Sequence, residues 1–407
     1  MNYMESKKKG ITLYDFLITI LIITSLAFYD IKPIFLGVQA ITVFYTVFIL
    51  STNGYKIKNH IFYYACWLVL FSTYSFLSLL WSAKENETAL SCTLSVVQVG
   101  LIAICILIYA KDDKRLYGTV LNAFLLAGLV LCFRFFVSVP FKQWGKEERF
   151  SKDTIFGSNE PALVLAYASS FLMWRLFVLR KDKIKFNFKT VLYFFGIILF
   201  MFVSMMIGTK KGVFIFLINM LIFILCQAKN IISTVIRLLI AVMIAYVLYM
   251  IIMKVPILYK SIGYRFEGMI AGFLGEENVD GSTIARMNFA EDAIRVFKTS
   301  PLIGIGQDGY RYANSFYRTY SHNNYTEILA NLGIIGAIIF YSLHLLIFRG
   351  IAKKREKILP LSIILTILIL DIAMVSYSSE MVSVLLAMSF AMVHCAQEKN
   401  YIEKETR

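Results

Sequence analysis

Apolar stretches separated by short polar turns account for most of the 407-residue chain. Many of them approach or exceed the roughly 20 residues that cross a bilayer as a helix. The pattern predicts spans at 11–29, 33–51, 61–81, 89–110, 117–139, 161–179, 190–207, 213–228, 231–253, 325–348, 359–377 and 381–396. One long polar interruption, 254–324, breaks the series. The expected organisation is transmembrane helices over 1–253, an extracytoplasmic loop carrying the chemistry over 254–324, three more spans over 325–396, and a cytoplasmic tail over 397–407. The fold class is an all-α polytopic integral membrane protein, with about twelve transmembrane helices and an amphipathic helix in the large loop.

Inside that loop, Ser282–Lys298 has an N-cap candidate in Ser282 and an apolar stripe Met287, Ala290, Ile294, Phe297 at helical spacing. It reads as a helix lying along the outer membrane surface, with Arg286 facing either a headgroup or water. Pro301 and a glycine-rich turn (Gly304, Gly306, Gly309) follow. The glycine spacing matches a dinucleotide fingerprint, but it follows a helix instead of a strand and lies on the outer side, so a turn back to the membrane is the better reading. As one helix, His322–Phe348 would reach about 40 Å, more than the hydrocarbon core of about 30 Å. Its first turns, with His322, Asn323, Tyr325 and Glu327, are therefore expected to protrude. Gly333 and Gly336, deeper, would let a neighbouring helix approach closely.

Composition agrees with the pattern: 58% of residues are hydrophobic and only 16% charged, against about 25% charged in soluble proteins, and mean hydropathy is +0.69. Six cysteines fall in or at the ends of apolar runs, without metal-ligand spacing, so no zinc site or disulfide framework is implied. The net charge of +15 would suit nucleic acid, but most basic residues sit in short loops that orient a membrane protein. Their distribution places both termini in the cytoplasm, and an uncleaved first span is favoured despite the Ser25-x-Ala27 sequence. Basic residues on the outer side are then notable: Lys142, Lys146, Arg149 and Lys152 before the sixth span, and Lys210 with Lys211 in the Gly208–Gly212 turn. Anionic headgroups or phosphates are their natural counter-ions. Asp371, inside a span, is expected either to pair with a residue such as Arg134 or to serve a site. Glu380 lies at the turn that follows.

The segment Ser300-Pro301-Leu302-Ile303-Gly304-Ile305-Gly306, then Ser321-His322-Asn323-Asn324-Tyr325 and the helix with Gly333 and Gly336, resembles the O-antigen polymerase and O-antigen ligase superfamily. Gly208-Thr209-Lys210-Lys211-Gly212 resembles the family's G-S/T-R-G turn, with lysines where arginine is usual. Arg149 through Asn159 resembles its Arg-to-Asn stretch.

The resemblance implies transfer of a glycan from polyprenyl pyrophosphate on the outer face of a bacterial plasma membrane, with no cofactor or metal. Pyrophosphate is a good leaving group that cations can stabilise; Arg149, Lys210, Lys211, Arg265 and Arg286 are the candidates. His322 is the candidate general base, since imidazole ordinarily titrates near pH 6.5 (about). Glu327 is its substitute or orienting partner, and Asn159, Asn323 and Tyr325 are candidates for substrate contact. The expected partners are a lipid-linked oligosaccharide, membrane lipids, a lipid-sugar flippase and a chain-length regulator, and not nucleic acid. A polymerase of repeat units for capsule, exopolysaccharide or O-antigen is favoured over a ligase by the Lys-, Ile- and Asn-rich composition, which fits a low-GC bacterium. A transporter of the same lipid-linked sugar is a further alternative, weakened because the two halves of the chain show no repeat.

Overall fold

The computed structural model describes residues 11–52, 58–83, 87–144, 150, 155–177, 188–274, 281–313, 318–352 and 357–394. All regular structure among the described residues is helical. Helices occupy every interval expected to span: α1 Leu13–Ala27, α2 Lys32–Thr52, α3 Asn59–Ser78, α4 Ala89–Tyr109, α5 Leu121–Ser138, α6 Glu160–Phe177, α7 Phe188–Met206, α8 Lys210–Leu225 and α9 Ile231–Lys254. In the large loop lie α10 Tyr264–Leu274 and α11 Gly281–Thr299, followed by α12 Asn324–Ala352, α13 Ile358–Leu370 and α14 Glu380–His394. Seven segments among the described residues are long and apolar enough to cross a membrane: α2, α3, α4, α5 with the π-helical turn before it, α7, α9 and α12. The chain is a polytopic helical membrane protein.

Burial sorts the helices into layers. The sides of α6 and α14 are almost wholly enclosed. Small residues on α6 (Ala162, Ala166, Ala168, Ser169, Ser170) let neighbours come close. The hydroxyl of Ser204 on α7 donates to the Ala162 carbonyl at 2.9 Å, and Asn219 on α8 donates to Ser170 at 3.1 Å. By contrast, α9 exposes most of its apolar side chains, Ile231, Ile232 and Leu239 among them. A helix apolar all round, yet open on its outer side, suits lipid as its solvent.

Two expectations are corrected. The residues from 325 onward do not form one straight helix: Gly333 adopts φ 67°, so the helix breaks there. The break frees carbonyls that the loop uses, since the N–H groups of Ile305 and Gly306 donate to the Ala330 and Asn331 carbonyls, while Ile334 and Ile335 donate to Pro301 and Leu302. A Cβ on Gly333 would lie 2.3 Å from the Leu302 oxygen, and one on Gly304 would lie 2.3 Å from the Asn331 carbonyl. Gly333 thus admits an extended segment against the helix where a helix–helix approach was expected, while Gly336 does face a neighbouring helix, since its Cβ would stand 3.2 Å from the Tyr74 ring of α3. Gly304 and Gly306 also carry positive φ, so the glycine-rich turn is pinned to α12.

Second, α13 ends at Leu370, well short of 377, and residues 371–379 run on without helix. Backbone of this kind is tolerated at membrane depth where protein buries it or where it lines a cavity. In the large loop, α11 turns Phe289 and Ala293 toward the protein, where Tyr310 and Ala330 pack. Met287 and Ile294 of the expected stripe are exposed, together with Ile284. The helix therefore carries two apolar faces, one for the bundle and one pointing away from it.

Arg134 does not reach Asp371. It forms a two-point ion pair with Asp30, its two terminal nitrogens 2.9 and 2.8 Å from the carboxylate oxygens, and also donates to the Ala27 carbonyl. Asp371 instead accepts from Asn324 Nδ2 at 3.3 Å and from the Tyr341 hydroxyl at 2.9 Å.

Candidate functional site

Five helices begin around one cavity of about 340 Å³. Cys92 comes from the first turn of α4, Asn159 and Glu160 from the start of α6, Lys211 from the start of α8, Glu327 from the first turn of α12, and Glu380 from the start of α14. Each helix N-terminus carries the positive end of its peptide dipoles and unpaired N–H groups, a setting that favours anions. The unwound segment after α13 supplies part of the wall through Met374, Tyr377 and Ser379. The large loop supplies Asp308, Arg311, Tyr320 and His322.

His322 lies ahead of α12, not in its first turn, and has φ 58°. Left-handed backbone is unfavourable for a residue with a side chain and persists only where the surroundings hold it. Here the surroundings are specific. Its ring stacks on Phe289 with centroids 5.8 Å apart and meets Tyr320 at 4.1 Å. Immediately before it, Ser321 is fully buried and its N–H donates to Glu327 Oε2 at 2.6 Å. The other Glu327 oxygen accepts from Asn331 Nδ2 at 3.0 Å, and Asn331 Oδ1 accepts from the Tyr310 N–H at 2.8 Å. Glu327 itself is fully enclosed, correcting the expectation that it protrudes at the interface. Its carboxylate ties the histidine turn to α12.

Four expected site residues therefore meet at the cavity: Asn159, Lys211, His322 and Glu327. The others are placed elsewhere. Asn323 spends its side-chain oxygen on the Thr326 N–H at 3.1 Å, the N-cap of α12. The Tyr325 hydroxyl donates to the Leu368 carbonyl at 2.8 Å while its ring stacks on Tyr341 at 5.2 Å. Lys210 donates to the Arg265 carbonyl at 3.2 Å, and Arg265 returns a bond to the Gly208 carbonyl at 3.0 Å. That reciprocal clasp locks the start of α8 to α10. It requires Gly208, whose φ is 77° and whose Cβ would stand 2.8 Å from the Ser261 oxygen. Arg286 is half-buried on α11, one turn ahead of Phe289, and does not line the cavity. Arg149 lies outside the described residues.

Lys211 lines the cavity and donates to the Ala373 carbonyl in the unwound segment. The other cavity cation, Arg311, had no sequence signal beyond being one basic residue in a basic loop. Asp308 Oδ2 accepts from its Nε at 2.9 Å and also from the Thr88 hydroxyl. Burial alone would lower the guanidinium pKa; the Asp308 carboxylate, with Glu327 further off, outweighs it and raises the value. Glu160 was likewise missed; it accepts from the Ser379 hydroxyl. Among the described residues the cavity lining thus carries four acidic side chains, Glu160, Asp308, Glu327 and Glu380, beside Lys211 and Arg311.

Residues 195–341 match the family model described as O-Antigen ligase. The match runs from within α7 into α12, taking in the Lys210-Lys211 turn, the large loop and His322. It agrees with the resemblance to the O-antigen polymerase and ligase superfamily and implies a membrane enzyme of glycosyltransferase type that handles lipid-linked glycan. No curated protein matches the chain.

Proposed function

We infer that this protein joins polyprenyl-pyrophosphate-linked oligosaccharide repeat units into a longer polysaccharide at the outer face of a bacterial plasma membrane. The carrying observation is the meeting of His322, Lys211 and Glu327 at one cavity, inside the stretch that matches O-antigen ligase. Transfer needs a base for the acceptor hydroxyl and cations for the departing pyrophosphate. His322 takes the hydroxyl proton as the acceptor oxygen bonds to the anomeric carbon. Lys211 meets charge growing on the leaving pyrophosphate. Glu327, its oxygens engaged by Ser321 and Asn331, positions the histidine turn. Both termini are cytoplasmic in this reading, and twelve helices span. A flippase supplies the substrate and a chain-length regulator sets its limit. Catalysis requires no metal ion.

The match to O-antigen ligase favours a second reading, in which finished glycan moves to a different acceptor. Glycan size in a deletion strain complemented with His322→Ala, at matched membrane levels, separates the two. Accumulation of single lipid-linked repeat units without polymer supports the polymerase. Polymer of normal length that stays on its lipid carrier supports the ligase. Normal polymer, normally attached, would remove His322 from the site.

A further inference from the structure

Arg311 sits in a short helical turn, Tyr310–Ala313, whose backbone is held from two sides. The Tyr310 N–H donates to Asn331, and the Tyr310 hydroxyl donates to the Phe289 carbonyl at 2.9 Å. Three residues earlier, the Asp308 side chain is only 4% exposed, and its φ of 54° is unfavourable outside glycine. Asp308 is held in turn by Thr88, and the neighbouring Gln307 N–H donates to Ser78 at 3.0 Å. This anchoring fixes one edge of the guanidinium, because Asp308 accepts from Nε. The two terminal Nη groups remain, and they form the planar fork that matches two oxygens of a phosphate. The Arg311 side chain is 33% exposed and lines the same cavity as His322 and Lys211.

We propose that Arg311, oriented by Asp308, contacts the phosphate oxygens of the lipid pyrophosphate and acts with Lys211 on the leaving group. The proposal rests on the glycosyltransferase reading and deepens it. As the acceptor oxygen bonds to the anomeric carbon, the bond from that carbon to the pyrophosphate oxygen breaks. Its electron pair stays on pyrophosphate, and the acceptor proton goes to His322. The added negative charge falls to Lys211 and the Arg311 fork. Asp308 lowers the net charge there but supplies orientation, and two-point geometry distinguishes arginine from lysine at a phosphate.

The test measures binding of farnesyl pyrophosphate and of farnesol to the full-length protein purified in detergent. Wild type should prefer farnesyl pyrophosphate. Arg311→Gln should lose about tenfold or more of that affinity, the scale of a charge-assisted hydrogen bond, with farnesol binding unchanged. Arg311→Lys keeps an ion pair to Asp308 but not the fork, so it should recover only part. Asp308→Asn should fall between wild type and Arg311→Gln. Wild-type affinity in Arg311→Gln overturns the Arg311 assignment alone, as does complete rescue by lysine. A wild-type protein that does not distinguish farnesyl pyrophosphate from farnesol overturns the assignment and the glycosyltransferase reading together. Should Arg311→Gln not fold, the Lys and Asp308→Asn variants give the same decision.

Discussion

The Ser321 N–H donates to Glu327 Oε2 at 2.6 Å, across one turn of chain that includes His322. This bond joins a buried carboxylate on a membrane helix to the backbone that presents the candidate base. Removing the carboxylate leaves the Ser321 N–H and the Asn331 amide without their acceptor in an enclosed site. Each such donor costs about 1–3 kcal/mol, so Glu327→Ala should destabilise the protein by about 2–6 kcal/mol and abolish polymer. Glu327→Gln keeps the shape and one acceptor oxygen, and should retain more of both. Thermal unfolding in detergent, read beside glycan length, checks the order.

Tyr325 offers a contrast. Its hydroxyl is committed to the Leu368 carbonyl and its ring to Tyr341. Tyr325→Phe should cost about 0.5–1.5 kcal/mol of stability and leave glycan length unchanged. A shortened glycan at full stability would return Tyr325 to the substrate-contact role.

Gly333 should tolerate no side chain. With φ 67° and the Leu302 oxygen 2.3 Å from a Cβ, Gly333→Ala combines backbone strain with a clash against main chain that cannot rotate away. We expect more than about 2 kcal/mol of destabilisation and loss of activity. Gly37, on α2, has nothing within 4 Å of a Cβ, and Gly37→Ala should be neutral or stabilising by up to about 1 kcal/mol. The paired melting temperatures test the claim.

Asp30 lies in the turn between α1 and α2, and its hydrogen bonds from Arg134 hold its pKa below the usual carboxylate value. A depressed folded-state pKa adds stability above the unfolded value of about 3.9, and this is lost as pH falls through the lower folded value. The pair is partly exposed, so about 1 kcal/mol or less is expected. Asp30→Asn should lower the melting temperature at pH 7 and bring mutant and wild type together in acid. An equal gap at both pH values would exclude the pair as its source.

Hydrophobic pattern alone located the membrane helices, since the length of an apolar run is a local property that lipid reads directly. The same holds for the order of the Lys210-Lys211 turn, the Pro301–Gly306 segment and His322. What sequence spacing could not reveal was which polar groups are consumed within the fold. Asn323 caps a helix, Tyr325 buttresses α13, and Lys210 with Arg265 form a clasp. Each had the chemistry of a ligand contact and was taken up by a backbone group that only tertiary packing brings near. Conversely, Arg311 and Glu160 carry no local signal, and only the convergence of helix starts places them beside His322. The break at Gly333 and the end of α13 at Leu370 belong to the same class. A broken membrane helix must hand its free carbonyls to a partner, and that partner lies roughly a helical hairpin away in sequence, where periodicity does not reach.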